Sequence, residues 1–239
     1  MFKKDSLWGA ASAAYQVEGA WNTDGNTKSI WDIWSKIPGK TFKATNGDVA
    51  TDHYHRYLED VKIMKELGLK TYRFSISWTR ILNGKERNEK GIQFYHNLID
   101  ALRSQGIEPM VTMYHWDLPQ TLQDEYEGWL SPKIVDDFEY YAKVILDEFH
   151  DKVKYWIVLN EPNIFTDQGY RLGVHPPGHI DRTDEFLLAY HHTALAHARV
   201  VNLIKNGNYN SEIKIGSSIA LTPAYAQSEQ EKDRIATQK

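Results

Sequence analysis

Residues 155–165 read YWIVLNEPNIF. The opening five are aromatic or apolar and partly β-branched, a run of strand type. The run ends in an amide, a carboxylate and a proline, not in the small turn residues by which a buried strand usually leaves its sheet. A carboxylate fixed at such an exit marks the end of this strand as a chemical site. Pro162 and the residues after it read as loop, with the next helix beginning only at about residue 183.

Outward from this strand one unit repeats. Segment 52–67 (DHYHRYLEDVKIMKEL) sets Tyr54, Tyr57, Leu58, Val61, Met64 and Leu67 at helical spacing, and Gly68 follows as a C-terminal cap. Segment 70–78 (KTYRFSISW) alternates Tyr72, Phe74 and Ile76 with Arg73, Ser75 and Ser77, the period of a strand. A helix over 92–103 closed by Gly106, a strand over 109–114 (PMVTMY), and a helix opened by Ser131-Pro132 and running to about 149 lead into the strand at 155–159. Beyond it come a helix over 183–205 and a last strand over 213–218 (IKIGSS), while 7–11 gives a strand at the start. Strand and helix alternate without a hairpin signal, which predicts a parallel sheet.

Two parallel architectures compete. The first strand-to-helix loop lacks Gly-x-Gly-x-x-Gly and the chain has no Walker sequence, against a nucleotide-binding doubly wound sheet. In an eight-fold barrel the active residues stand at the C-terminal ends of strands. Those ends are rich here: Gln16 and Glu18 after the first, Ser77-Trp78 after the second, His115-Trp116-Asp117 after the third, Asn160-Glu161 after the fourth. The predicted fold class is therefore α/β, a (β/α)8 TIM barrel of which about the first five β/α units are present. No internal boundary or low-complexity linker divides the chain, and the polar SEQEKDR near its end reads as a solvated loop or helix face.

Composition narrows the function. A net charge of −4 without a basic block lacks the electrostatic footprint of a nucleic-acid binder. The absence of cysteine removes disulfides, thiol nucleophiles and cysteine-ligated metals. The N-terminal MFKKDSLWGAASAA imitates a signal peptide, but Asp5 and Ser6 interrupt its apolar run; there is no Asn-x-Ser/Thr sequon and no membrane-spanning stretch, so a cytoplasmic setting is expected. His53 with His55, and His191, His192 and His197, lack the HExxH pattern and read as helix-packing residues, with no metal or cofactor expected.

Aromatics make up 13% of the residues, with eight tryptophans. Trp8, Trp31, Trp34, Trp78, Trp116 and Trp129 fall mostly at strand ends and in loops, where a flat face can stack on a sugar ring. A carboxyl beside an amide, with Gln16, His115 and tryptophans on neighbouring strand ends, makes a polar cup with aromatic walls. Cleavage between sugars uses paired carboxylates, one of them a proton donor, and Glu161 is the candidate for that donor. Asp117, in a Trp-Asp-Leu-Pro turn, reads as a capping or turn residue.

The motifs AASAAYQVEGAWN, SIWDIW, NGDVATDHYHRYLEDVKIMKELGLKTYRFSISW, GIEPMVTMYHWDLPQTL and LNEPN, in this order from residue 7 to about 219, resemble the retaining β-glycosidases of glycoside hydrolase family 1, the β-glucosidase family. The resemblance implies a single (β/α)8 barrel with Glu161 as general acid/base and Asn160 holding the sugar 2-hydroxyl. It implies that Gln16, His115 and Trp116 form the nonreducing-sugar subsite, and that Arg73 contacts the catalytic nucleophile. A buried ion pair with a neighbouring strand would account equally for Arg73.

The chain departs from the family pattern at Thr79, where Ser-Trp-Pro-Arg is common, and in a shortened loop after Ile81. Glu127-Gly128-Trp129 stands for the usual Gly-Gly-Trp, and His175-Pro176-Pro177-Gly178 differs slightly from His-x-Ala-Pro-Gly. The larger departure is that the Thr/Ser-Glu-Asn-Gly motif of the nucleophile, and the late Trp and Glu of the sugar subsite, have no counterpart. Residues 1–239 are thus expected to be the N-terminal part of one barrel domain. The expected partners are a β-glycoside or oligosaccharide substrate and either a complementary C-terminal half or a second copy. A 6-phospho-β-glycosidase, and a noncatalytic half-barrel that assembles or binds sugar weakly, are the other readings.

Overall fold

A computed structural model describes residues 2–3 and 6–236; the signal-like N-terminal segment lies partly outside them. Five strands, β1 (Gly9–Ala11), β2 (Thr71–Ser75), β3 (Glu108–Tyr114), β4 (Tyr155–Asn160) and β5 (Lys214–Ser218), form one sheet in the order in which they occur, and all neighbours run parallel. A doubly wound sheet reverses direction at a switch point. Here every crossover advances to the next strand on the same side, the progression of a barrel wall. The crossovers carry α1 (His53–Glu66), α2 (Glu89–Ser104), α3 (Lys133–Phe149), and finally α4 (Pro162–Tyr170) with α5 (Thr183–Asn206).

A two-residue antiparallel hairpin, Leu82–Asn83 against Glu86–Arg87, lies outside the sheet in the loop after β2 and carries no alternating pattern of its own. Gly84, at φ +60, supplies its turn.

The core lies around the middle of the arc. α3 buries Ile134, Val135, Phe138, Tyr141, Ile145, Leu146 and Phe149, a stripe at spacings of three and four residues. Burying each such side chain is worth about 1.5–3 kcal/mol before chain entropy is subtracted. The Tyr141 hydroxyl, fully buried, lies 2.9 Å from Ile76 O and 2.8 Å from Met113 O, so it can donate to carbonyls at the exits of two adjacent strands. The flanks are thinner. β1 is exposed along its length, and α1 buries only His53 and Val61. Leu58 and Leu67, expected on the packed face of that helix, are 64% and 71% exposed.

Candidate active site

The site grows from the end of β4. Pairing with β5 is regular through Ile157–Gly216 and then shifts, so that Asn160 faces Ser218 and the Glu161 N–H donates to Ser218 O at 2.7 Å. Glu161 adopts left-handed backbone angles (φ 48, ψ 57) and caps α4, with Pro162 as the first helical residue. This corrects the expectation of a loop after residue 161. Proline is favoured at that first position because its missing N–H would be unpaired there anyway. At the end of β3, Trp116 also has positive φ, at 78. Non-glycine residues in this region cost about 1–3 kcal/mol each and cluster at functional sites.

Four of the residues singled out form one hydrogen-bonded cluster. Arg73 Nη2 donates to Asn160 Oδ1 at 2.5 Å, and Asn160 Nδ2 lies 3.0 Å from His115 Nε2 and donates to Glu161 Oε2 at 3.1 Å. These partners fix the amide, since a guanidinium only donates and a carboxylate only accepts. Asn160 therefore donates to His115 Nε2, which makes that nitrogen an acceptor and leaves the ring proton on Nδ1. Burial, helped by the charge of Arg73, pushes the His115 imidazole down to about 4, which agrees with a neutral ring.

Arg73 completes its contacts by donating from Nε to Thr112 Oγ1 at 2.9 Å. Both hydrogen-bond partners are neutral, so the ion-pair reading gives way to a guanidinium held by an amide and a hydroxyl. Burial lowers the Arg73 pKa while the nearby Glu161 carboxylate opposes it.

Trp116 joins through its indole, Nε1 donating to Asn160 O at 2.8 Å. Its ring lies 5.2 Å from His175, which lies 5.0 Å from Trp31, itself 5.9 Å from Tyr15. These rings form a half-buried aromatic wall beside the polar cluster. Gln16 stands apart: it is exposed on the helical turn Ala14–Val17 after β1, and its side chain makes no hydrogen bond to the other candidates. Trp34, Trp78 and Trp129 are 5%, 2% and 1% exposed, core residues and not free stacking faces.

Thr112 and His175 are members of the site that the sequence pattern did not single out. A threonine inside the apolar run PMVTMY was the available signal for the first. His175 precedes the cis Pro176-Pro177 peptide, and nothing in sequence placed it beside Trp116.

The other acids near strand ends serve other purposes. Glu18 accepts from Arg80 Nε at 2.9 Å and from the Tyr95 hydroxyl at 2.6 Å; both ion-pair partners are buried. Asp117, expected as a capping or turn residue, makes no capping hydrogen bond through its side chain. It is 2% exposed, neither carboxylate oxygen has a well-formed hydrogen bond, and burial pushes its pKa up to about 7, only partly offset by the Ser77 hydroxyl.

His53, His192 and His197 have protein partners, in Asp60, Trp129 O and Ser217 respectively. Among the described residues no group of three or more His, Cys, Asp or Glu side chains could hold a metal ion, and no helix is long and apolar enough to cross a membrane.

Comparison with known proteins agrees with this geometry. The model of the family described as glycosyl hydrolase family 1 matches residues 1–239. The aryl-phospho-β-D-glucosidase BglC of Bacillus subtilis is 52% identical over 237 residues, covering 98% of this chain and 49% of the relative. A rice β-glucosidase structure superposes with a TM-score of 0.96 at 40% identity, covering 99% of this chain and 52% of that one. A β-glucosidase from Exiguobacterium marinum gives 0.93 at 46%, covering 100% and 53%. The chain spans about half the length of the curated relatives it matches.

Proposed function

The chain belongs to glycosyl hydrolase family 1, and from that premise we propose that it contributes the acid/base half of a retaining β-glycosidase site. The observation that carries this reading is the chain of contacts Arg73–Asn160–Glu161 with His115 at the C-terminal ends of adjacent strands. In a retaining mechanism Glu161 gives its proton to the leaving oxygen as the glycosidic C–O bond breaks, while a second carboxylate bonds to the anomeric carbon. Water then displaces that carboxylate, with Glu161 taking the water's proton.

Asn160 orients the Glu161 carboxyl and would hold the sugar 2-hydroxyl. His115, kept neutral with Nε2 accepting from Asn160, has Nδ1–H left to donate to a sugar hydroxyl; Trp116 offers an aromatic face to the same subsite, and Gln16, which contacts none of these side chains, would join it only through the sugar. Arg73 supplies the positive charge beside which the second carboxylate acts.

A retaining site sets its two carboxyls about 5–5.5 Å apart. Glu18 is committed to Arg80, and Asp117 is buried without a hydrogen bond to any residue of the cluster. We therefore assign the nucleophile to strands beyond β5, with residues 1–239 the N-terminal part of a single barrel domain. Those strands would be joined in one chain or supplied by a complementary one. Lacking them, the unpaired edges of β1 and β5 favour association with a second copy.

A 6-phospho-β-glycosidase is the second reading, favoured by the 52% identity to an aryl-phospho-β-D-glucosidase. The two are separated by assaying an aryl β-glucoside and its 6-phosphorylated counterpart, with this chain alone and mixed with a chain carrying the remaining strands. Turnover of the plain glucoside supports the first reading, turnover of only the phosphorylated one the second, and turnover of neither in the mixture contradicts both.

A further inference from the structure

The loops after β1, β2 and β3 line a small polar space. Its volume is about 20 Å³, and its lining includes Asn26, Asp32, Ser77, Arg80 and Asp117. Three of these are almost completely removed from solvent: Asp32 is 5% exposed, Arg80 1% and Asp117 2%. Each still has polar atoms without a protein partner, namely Asp32 Oδ1, Arg80 Nη1 and both Asp117 oxygens; Asn26 Oδ1 is a further such atom on the same cavity. Buried polar atoms in folded proteins are nearly always hydrogen-bonded to protein or to ordered solvent. Unpaired groups converging on one cavity therefore point to a common occupant.

The chemistry of the walls selects it. Carboxylate and amide oxygens need a donor, whereas the guanidinium N–H needs an acceptor. A metal cation would satisfy the oxygens but would lie against the fixed charge of Arg80. Water satisfies both kinds of group, and the volume exceeds the roughly 10–15 Å³ that one water requires. Of the other titratable groups beside Arg80, Glu18 accepts from Arg80 Nε and from the Tyr95 hydroxyl, and Tyr54, whose ring lies 4.2 Å from the guanidinium, gives its hydroxyl to Asp24, so none of them reaches Nη1.

We propose that this cavity is a built site for a single structural water, which accepts from Arg80 Nη1–H and donates to Asp32 Oδ1 and Asp117. The water ties together three segments: the helical turn Ile30–Trp34 that carries Asp32, the turn Trp78–Ile81 that carries Arg80, and the exit of β3. Asp117 directly follows Trp116, and Arg80 holds Glu18, two residues beyond Gln16. The bridge therefore joins the backbone supports of two side chains between which there is no direct hydrogen bond.

A crystal structure at a resolution that shows ordered solvent tests this directly. The expected result is one peak within hydrogen-bonding distance, about 2.7–3.2 Å, of Arg80 Nη1, Asp32 Oδ1 and an Asp117 oxygen. An empty cavity would overturn the proposal. So would a peak with only oxygen neighbours at about 2.3–2.6 Å, the signature of a hard cation.

Two variants provide a solution readout. Asp117→Asn keeps the outline and a polar oxygen and is expected to retain the water. Asp117→Leu puts a methyl group in its place and is expected to lose one long-lived water by magnetic relaxation dispersion. Equal numbers of long-lived waters in wild type and a folded Asp117→Leu protein would count against the site. If that variant does not fold, the density at the wild-type cavity decides alone.

Discussion

Asp117→Asn isolates the energetics of a buried carboxyl. The folded protein holds the Asp117 proton up to about pH 7, whereas an unfolded aspartate releases it near 3.8. Between those values the native state binds more protons than the unfolded one, so the contribution of Asp117 to stability falls as pH rises and levels off above about 8. At about 1.4 kcal/mol per pH unit the gap sets a ceiling of about 4 kcal/mol. A hydrogen bond from the proposed water stabilises the carboxylate and brings the expected loss to about 2–4 kcal/mol.

Asparagine has the same outline and never ionises. Urea unfolding of both proteins between pH 4 and pH 8 should therefore show the variant gaining stability relative to wild type as pH rises, by about 2 kcal/mol or more at pH 8. Other titrating groups are common to both proteins and cancel in the difference. Parallel pH profiles would mean that Asp117 ionises normally, and that its burial does not hold the proton.

Arg80→Met leaves Glu18 buried without its cation and should cost about 3–5 kcal/mol in denaturant unfolding, with much of the loss recovered in the Arg80→Met/Glu18→Leu double variant; additive losses would contradict the pairing. Glu127 has left-handed angles (φ 61) at the C-terminal cap of the helix Gln120–Tyr126, so Glu127→Gly should raise stability by about 1 kcal/mol. Gly128→Ala should instead destabilise, because its Cβ would meet Leu118 Cδ2 at 2.5 Å, and a neutral result would refute that contact. His115, with its pKa pushed down to about 4, should show no imidazole protonation by NMR above about pH 5.5; a midpoint near 6.5 would contradict the acceptor role of Nε2.

The sheet was legible because its strands are separated by regular helical segments with glycine stops, so order and direction followed from alternation alone. The ends of β4 and of α3 fell within a residue or two of their expected places. What failed was local. α4 was hidden because Pro162 and Asn163 resemble a loop, and only the left-handed Glu161 lets the helix start at once. The apolar face of α1 is narrower than its spacing predicts, with Leu58 and Leu67 exposed, since spacing reports which residues share a side and not whether anything packs on it. Of the site, Asn160, Glu161, His115, Trp116 and Arg73 were named from strand ends and from family resemblance, and the structure brings these five together. The Glu18–Arg80 pair and the unpaired Asp117 were not legible, because their burial depends on loops from three different strands meeting.

Everything proposed for the site turns on Glu161 acting as the acid/base of a retaining glycosidase. The decisive variant is Glu161→Ala in the protein with its barrel completed, assayed on an aryl β-glycoside with a good leaving group and on one with a poor leaving group, with and without azide. A leaving group that needs no proton relieves the first step, and azide can attack the glycosyl intermediate without base assistance. A far larger loss on the poor leaving group than on the activated one is expected, with recovery of turnover in azide. Equal losses on both substrates, with no recovery, would contradict the assignment of Glu161.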